Sequence, residues 1–77
     1  MIIKVLLFGV LAEKAGKEEL KIENISSLDE LNKHINDKYP SFKNIQFRFS
    51  VNRILISGNK KLKEGDEVAM LPPFAGG

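Results

Sequence analysis

The order and spacing of apolar residues predict an α+β domain, a mixed sheet of about five strands with one main helix laid across it. Three observations carry this. The first and last apolar runs, residues 2–8 and 67–71, are nearly continuous, as expected of central strands that lie side by side. Residues 18–23 and 46–51 alternate with period two, the pattern of half-buried strands. One stretch after Ser27 repeats its apolar residues at helical spacing and needs a sheet to bury that stripe on.

In the first strand Lys4 is the one polar residue, and alternation sets Ile3, Val5 and Leu7 on one face against Lys4, Leu6 and Phe8 on the other. Gly9 and Gly16 bracket residues 10–15, too short a segment for an independent helix and expected to form only a turn or two. Residues 18–23 place Leu20 and Ile22 inward, a second strand pairing antiparallel with the first. The helix opens on Ser27-Leu28-Asp29-Glu30, a capping box in which serine accepts from an orphan N–H and Glu30 reaches back. Leu28, Leu31, Ile35 and Tyr39 then form one stripe over about three turns, and Pro40 marks the end. Phe47, Phe49 and Val51 alternate with Gln46, Arg48 and Ser50. Asn52-Arg53 breaks the run, and Ile54-Leu55-Ile56 makes a short fourth strand. Turn chemistry at Ser57-Gly58-Asn59 and at Lys63-Glu64-Gly65-Asp66 leads into the last strand.

Strand, strand, helix, strand, short strand, strand is the β-grasp, or ubiquitin-like, arrangement. It is expected over residues 1–71, with residues 72–77 as an extended tail. With Ile3, Val5, Leu7, Ile54, Ile56, Val68 and Met70 facing the helix, the opposite sheet face carries Leu6, Phe8, Leu55, Ala69 and Leu71 beside Lys4, Arg53 and Glu67. An apolar patch rimmed by charge and next to the exiting tail suggests a docking surface.

Composition excludes several functions. There is no cysteine, so neither disulfides nor a zinc–thiolate site can reinforce so small a core. The N-terminal segment lacks a basic region and a small-residue cleavage site, so it reads as a strand and not as a signal peptide, and cytoplasmic localisation is expected. Twelve Lys and Arg against ten Asp and Glu leave a formal charge of +2, with the signs interspersed and no one-sided basic face for nucleic acid. Lys60, Lys61 and Lys63 read as a solvated face, Asp66-Glu67 as a solvated turn, and Met70 as core. His34 stands alone, without a second histidine or cysteine to share a metal. No nucleophile, base and orienting group can be assembled, and no phosphate-binding glycine loop is present.

Chemistry is left to the tail. Pro72 and Pro73 have no N–H to offer a sheet ladder, so strand pairing is expected to stop there. Gly76 and Gly77 have no Cβ, which lets backbone enter a channel too narrow for side chains. A body without an active site and an accessible carboxylate together describe a carrier.

The segment Gly65-Asp66-Glu67-Val68-Ala69-Met70-Leu71-Pro72-Pro73-Phe74-Ala75-Gly76-Gly77 resembles the C-terminal motif of the molybdopterin synthase small subunit family, the molybdopterin-converting factor small subunit or MoaD. Val51-Asn52 and the first strand ending at Phe8 extend the similarity along essentially the whole chain. Ala12 departs from it, standing where many members carry an arginine. The resemblance implies a non-catalytic sulfur-carrying subunit that binds no cofactor itself. An E1-like adenylyltransferase of the MoeB type would use ATP to adenylate Gly77, and a sulfur donor would convert it to a thiocarboxylate. The tail would then enter the synthase large subunit and deliver sulfur to the cyclic pyranopterin monophosphate, forming the molybdopterin dithiolene. The family suggests a heterotetramer with two large subunits. Gly76 would give clearance, Pro72 and Pro73 would stiffen the tether, Phe74 and Ala75 would pack along the channel, and Phe8, Leu55 and Leu71 would meet the partner. The rival expectations are a carrier for thiazole synthesis or tRNA thiolation, a ubiquitin-like modifier, and a β-grasp interaction module with an inert tail.

Overall fold

The computed structural model describes residues 2–72. Five strands, β1 (Ile2–Leu7), β2 (Glu19–Glu23), β3 (Arg48–Val51), β4 (Ile54–Ile56) and β5 (Glu67–Leu71), form one sheet in the order β2-β1-β5-β3-β4. The two apolar strands predicted to be neighbours are neighbours: β1 and β5 run parallel, with Val5 opposite Val68 and Leu7 opposite Met70. The other pairings are antiparallel, including β1 with β2 as expected. This is the β-grasp arrangement.

Helix α2 (Leu28–Lys38) follows β2 and buries Leu28, Leu31 and Ile35 against Ile3, Val5, Leu7, Val68 and Met70. Its start is held twice over. Ser27 Oγ accepts from the Glu30 N–H at 3.2 Å, the predicted cap, while Asn59 Oδ1, from a distant loop, accepts from the Asp29 N–H at 2.9 Å. The Glu30 carboxylate accepts from the Ser26 hydroxyl. Two backbone bonds, Leu28 N–H to Lys60 C=O and Leu62 N–H to Ser26 C=O, tie the same end to that loop and bury Leu62. The helix stops at Lys38. Tyr39 is its C-cap and half-buried, and Pro40–Asn44 continues as a 3-10 helix whose Phe42 is fully buried and stacks on Tyr39.

Three sequence expectations are corrected, and a fourth is met. The turn or two expected over residues 10–15 is helix α1 (Val10–Ala15), which forms because Leu11 is fully buried and Gly16, in left-handed conformation at φ +74°, caps the end with its N–H on the Ala12 carbonyl. Tertiary packing supplies what six residues alone do not. The third strand begins at Arg48 and leaves Phe47 outside it. Ser50, read as an outward polar residue, is buried between neighbouring strands. Ile54 shares the helix-side face by register, opposite Val51, but is 67% exposed because β4 is the edge strand. No helix of the described residues is long and apolar enough to cross a membrane.

Candidate functional site at the exit of β5

Where the chain leaves the sheet is set by the parallel β1–β5 pair. Since Leu7 stands opposite Met70, Leu71 and Pro72 run on beside Phe8 and Gly9. Gly9 has φ +57° and ψ −132°, outside the regions open to other residues. A Cβ built on it would lie 3.0 Å from Pro72 Cγ. The turn between β1 and α1 thus closes directly on the first proline of the tail, and only glycine permits both the backbone angle and the approach.

The apolar face expected on the side of the sheet away from the helix is present. On the side of the sheet away from α2, register aligns Leu6, Ala69, Ser50 and Leu55 across four strands. These residues, with Phe8, Arg53, Glu67 and Leu71, line a shallow concavity of about 390 Å³. Phe8 and Leu55 are 45% and 52% exposed, large apolar groups left open beside the tail exit. Lys4 lies opposite Glu67 on the same face and approaches Glu19 at 4.0 Å. Phe8, Leu55, Leu71 and Pro72 therefore come together at one end of the sheet. Pro73, Phe74, Ala75, Gly76 and Gly77 lie outside the described residues.

A clasp that sequence reasoning missed fixes the start of β5. Asn52, at φ +50° in the tight β3–β4 turn, donates its N–H to the Glu67 carbonyl at 2.8 Å, and its Oδ1 accepts the Glu67 N–H at 3.0 Å. Its Nδ2–H donates to Asp66 Oδ1 at 3.0 Å, and Asp66 Oδ2 accepts the Lys63 N–H at 2.8 Å. These hydrogen bonds to the charged form, from Lys63 first and then Asn52, hold the Asp66 carboxyl below its ordinary value. Asp66 is a structural fastener. The signal for it was the Asn-Arg pair in a hairpin position that favours Asn-Gly, since Arg53 also takes positive φ, +72°. His34 is exposed, and no group of acidic or imidazole side chains among the described residues could hold a metal.

The profile of the ThiS family matches residues 5–77. The chain belongs to the ThiS family. This ThiS-family chain is 30% identical over 80 residues to a molybdopterin synthase sulfur carrier subunit from Mycobacterium tuberculosis (strain ATCC 25618 / H37Rv), covering 97% of this chain and 96% of the relative. Among solved structures it resembles a component of the complex of subunits 1 and 2 of molybdopterin-converting factor from Helicobacter pylori 26695, with 30% identity, full coverage of both chains and a TM-score of 0.74. It also resembles small archaeal modifier protein 1 from Methanosarcina acetivorans, with 28% identity, 99% and 96% of the two chains covered and a TM-score of 0.85. The resemblance read from the terminal motif is thereby borne out.

Proposed function

We propose that this chain is the sulfur-carrier subunit of a molybdopterin synthase. The observation that carries the reading is the end-to-end likeness, at 30% identity, to a curated sulfur carrier subunit. The placement of Pro72 against Gly9, beside an open apolar face, supports it by giving the tail a fixed point of departure.

The Gly77 carboxylate attacks the α-phosphorus of ATP on an E1-like, MoeB-type partner, releasing pyrophosphate and leaving an acyl-adenylate. A sulfur nucleophile then displaces AMP, so the C–O bond to phosphate breaks as the C–S bond forms and a thiocarboxylate results. That sulfur attacks a carbon of the pterin precursor inside the large subunit and displaces an oxygen substituent from it. Water then cleaves the C–S bond to Gly77, which leaves the sulfur on the pterin and restores the carboxylate. Gly76, which has no Cβ, leaves the residue before the carboxylate free of side chain. Pro72 and Pro73 reduce the ordering cost of inserting the tail. Phe74 and Ala75 line the tail against the channel. The large subunit is the expected partner because the Helicobacter pylori structure is a complex of subunits 1 and 2. Phe8, Leu55 and Leu71 are its landing surface on this chain.

Intact-mass measurement tests the chemistry. Incubation with the activating enzyme, ATP and sulfide should add about 16 Da, oxygen exchanged for sulfur at an activated acyl group. One residue appended after Gly77 should abolish the gain, and persistence of the gain with the extension attached would sink the proposal. A second reading, a protein modifier, rests on the likeness to small archaeal modifier protein 1. It requires higher-mass conjugates that disappear when Gly77 is deleted.

A further inference from the structure

We propose that a groove at the tail-exit end of the molecule docks one extended segment of a partner protein, an apolar anchor flanked by carboxylates. The inference goes beyond the sulfur-carrier reading and does not rest on it.

The groove is a concavity of about 890 Å³ between α2, the 3-10 helix and the start of β3, reaching Leu71 and Pro72. Its volume falls in the range of real binding clefts. Ile45 and Phe47, both half-buried, supply an apolar wall suited to an aromatic or branched anchor, with the buried Phe42 behind them. The charged lining is of one sign. Lys43 and Arg48 are both exposed, no Asp or Glu lines the groove, and neither cation has an ion-pair partner among the described residues. Such a wall favours carboxylates on either side of the anchor.

The third observation concerns Asn36, which also lines the groove. Its Nδ2–H donates to Asn32 Oδ1 at 3.2 Å, while its own Oδ1 is buried with no hydrogen-bond partner among the described residues. Buried acceptors are nearly always paired, with protein or with ordered water, and a backbone N–H brought into the groove can take that place. An extended peptide supplies such a donor at every second backbone N–H along the side facing the wall. Apolar wall, unpaired cations and an acceptor without a donor all describe the same occupant.

The test titrates the ¹⁵N-labelled full chain with acetyl-Asp-Phe-Asp-Leu-amide and, separately, with acetyl-Lys-Phe-Lys-Leu-amide. The acidic peptide should move the amide signals of Asn36, of residues 43–48 and of Leu71 in a saturable way. The lysine peptide should bind about tenfold more weakly or worse, as expected for a steered charge pairing. Arg48→Glu, and independently Lys43→Glu, should abolish that preference, and the double variant should reverse it. Equal response to the two peptides, no response, or movement confined to Leu6 and Phe8 would overturn the proposal. So would two results on the chain alone. Signals of the groove that shift on dilution would mean a second copy occupies it, and signals that shift on deletion of residues 73–77 would mean the chain's own end does. None of these readouts involves sulfur transfer, so failure here leaves the carrier reading standing, and the converse holds.

Discussion

Gly9 and Gly16 are both glycines at positive φ, at +57° and +74°, yet they bear different loads. Nothing lies within 4 Å of a Cβ built on Gly16, so Gly16→Ala should cost only the left-handed backbone penalty of about 1–2 kcal/mol. Gly9→Ala pays a backbone penalty of about 1–3 kcal/mol and also meets Pro72 Cγ at 3.0 Å, so Pro72 or the β1–α1 turn must move. Urea unfolding should therefore rank Gly9→Ala clearly below Gly16→Ala, and only the former should slow sulfur loading, through a displaced tail base. Equal midpoints and equal loading would show that the Gly9–Pro72 contact does not matter. Asp66 gives a second prediction at this scale. Its carboxyl is held below the ordinary 3.8 in the fold by the Lys63 N–H and the Asn52 amide. A depressed carboxylate contributes stability that is fully present above the unfolded value and is lost as pH falls through the folded one. Wild type should lose stability on acidification from about pH 4 downward, and Asp66→Asn should lose less over the same window, although it starts lower at pH 7. Thermal melts at closely spaced pH values measure the difference.

Among the elements, α2 shows both how much the sequence discloses and where disclosure stops. Ser27, the apolar stripe and Pro40 announce its start, its face and its end, and each holds. Nothing in the local sequence announces Asn59, which caps the same helix from a loop thirty residues away. Asn59→Ala should cost about 0.5–2 kcal/mol, as loss of an N-cap oxygen does. Because Leu28 and Leu62 are bonded into the same junction, their amides should also exchange faster with solvent. Exchange unchanged at both amides would show that the backbone bonds alone hold the junction. The core residues that escaped the reading have one trait in common. Leu11, Ile25, Phe42 and Leu62 are buried, yet each sits outside any long periodic run, within a short helix, a 3-10 turn or a loop. Periodicity identifies residues whose neighbours share their environment, and it is silent on a lone apolar group that the fold brings inward. The edge position of β4 is the opposite failure. Register gave Ile54 its face, but burial depends on whether the helix reaches that far. Of the candidate site, the exposed face and the proline exit were legible from alternation, whereas the Gly9 seat and the Asn52–Asp66 clasp required the three-dimensional crossing of distant segments.

For the molecule as a whole, the proposed function makes the two faces of one sheet unequal. The helix-side face is spent on the core, and the other is open where the tail departs, so adjacent residues on β4 should answer differently to the same substitution. Leu55, 52% exposed, lies in the concavity with Phe8 and Leu71, whereas Ile54, 67% exposed, points to the helix side of the sheet. Placing a carboxylate at Leu55 or at Phe8 puts an unpaired charge at the centre of the proposed contact with the large subunit. Loss at such a central anchor is of order 2 kcal/mol or more, about thirtyfold in Kd. Leu55→Asp and Phe8→Asp should therefore weaken binding to the large subunit by at least that factor in calorimetric titration. Ile54→Asp should leave it within about threefold, the usual effect of a peripheral surface change. Melting temperatures of the free variants control for folding, since all three side chains are already open to solvent. If Ile54→Asp proved as damaging as Leu55→Asp, the partner would have to grip the edge of the sheet and not its open face. Phe8, on β1's side and far from that edge in strand order, would then be expected to tolerate substitution.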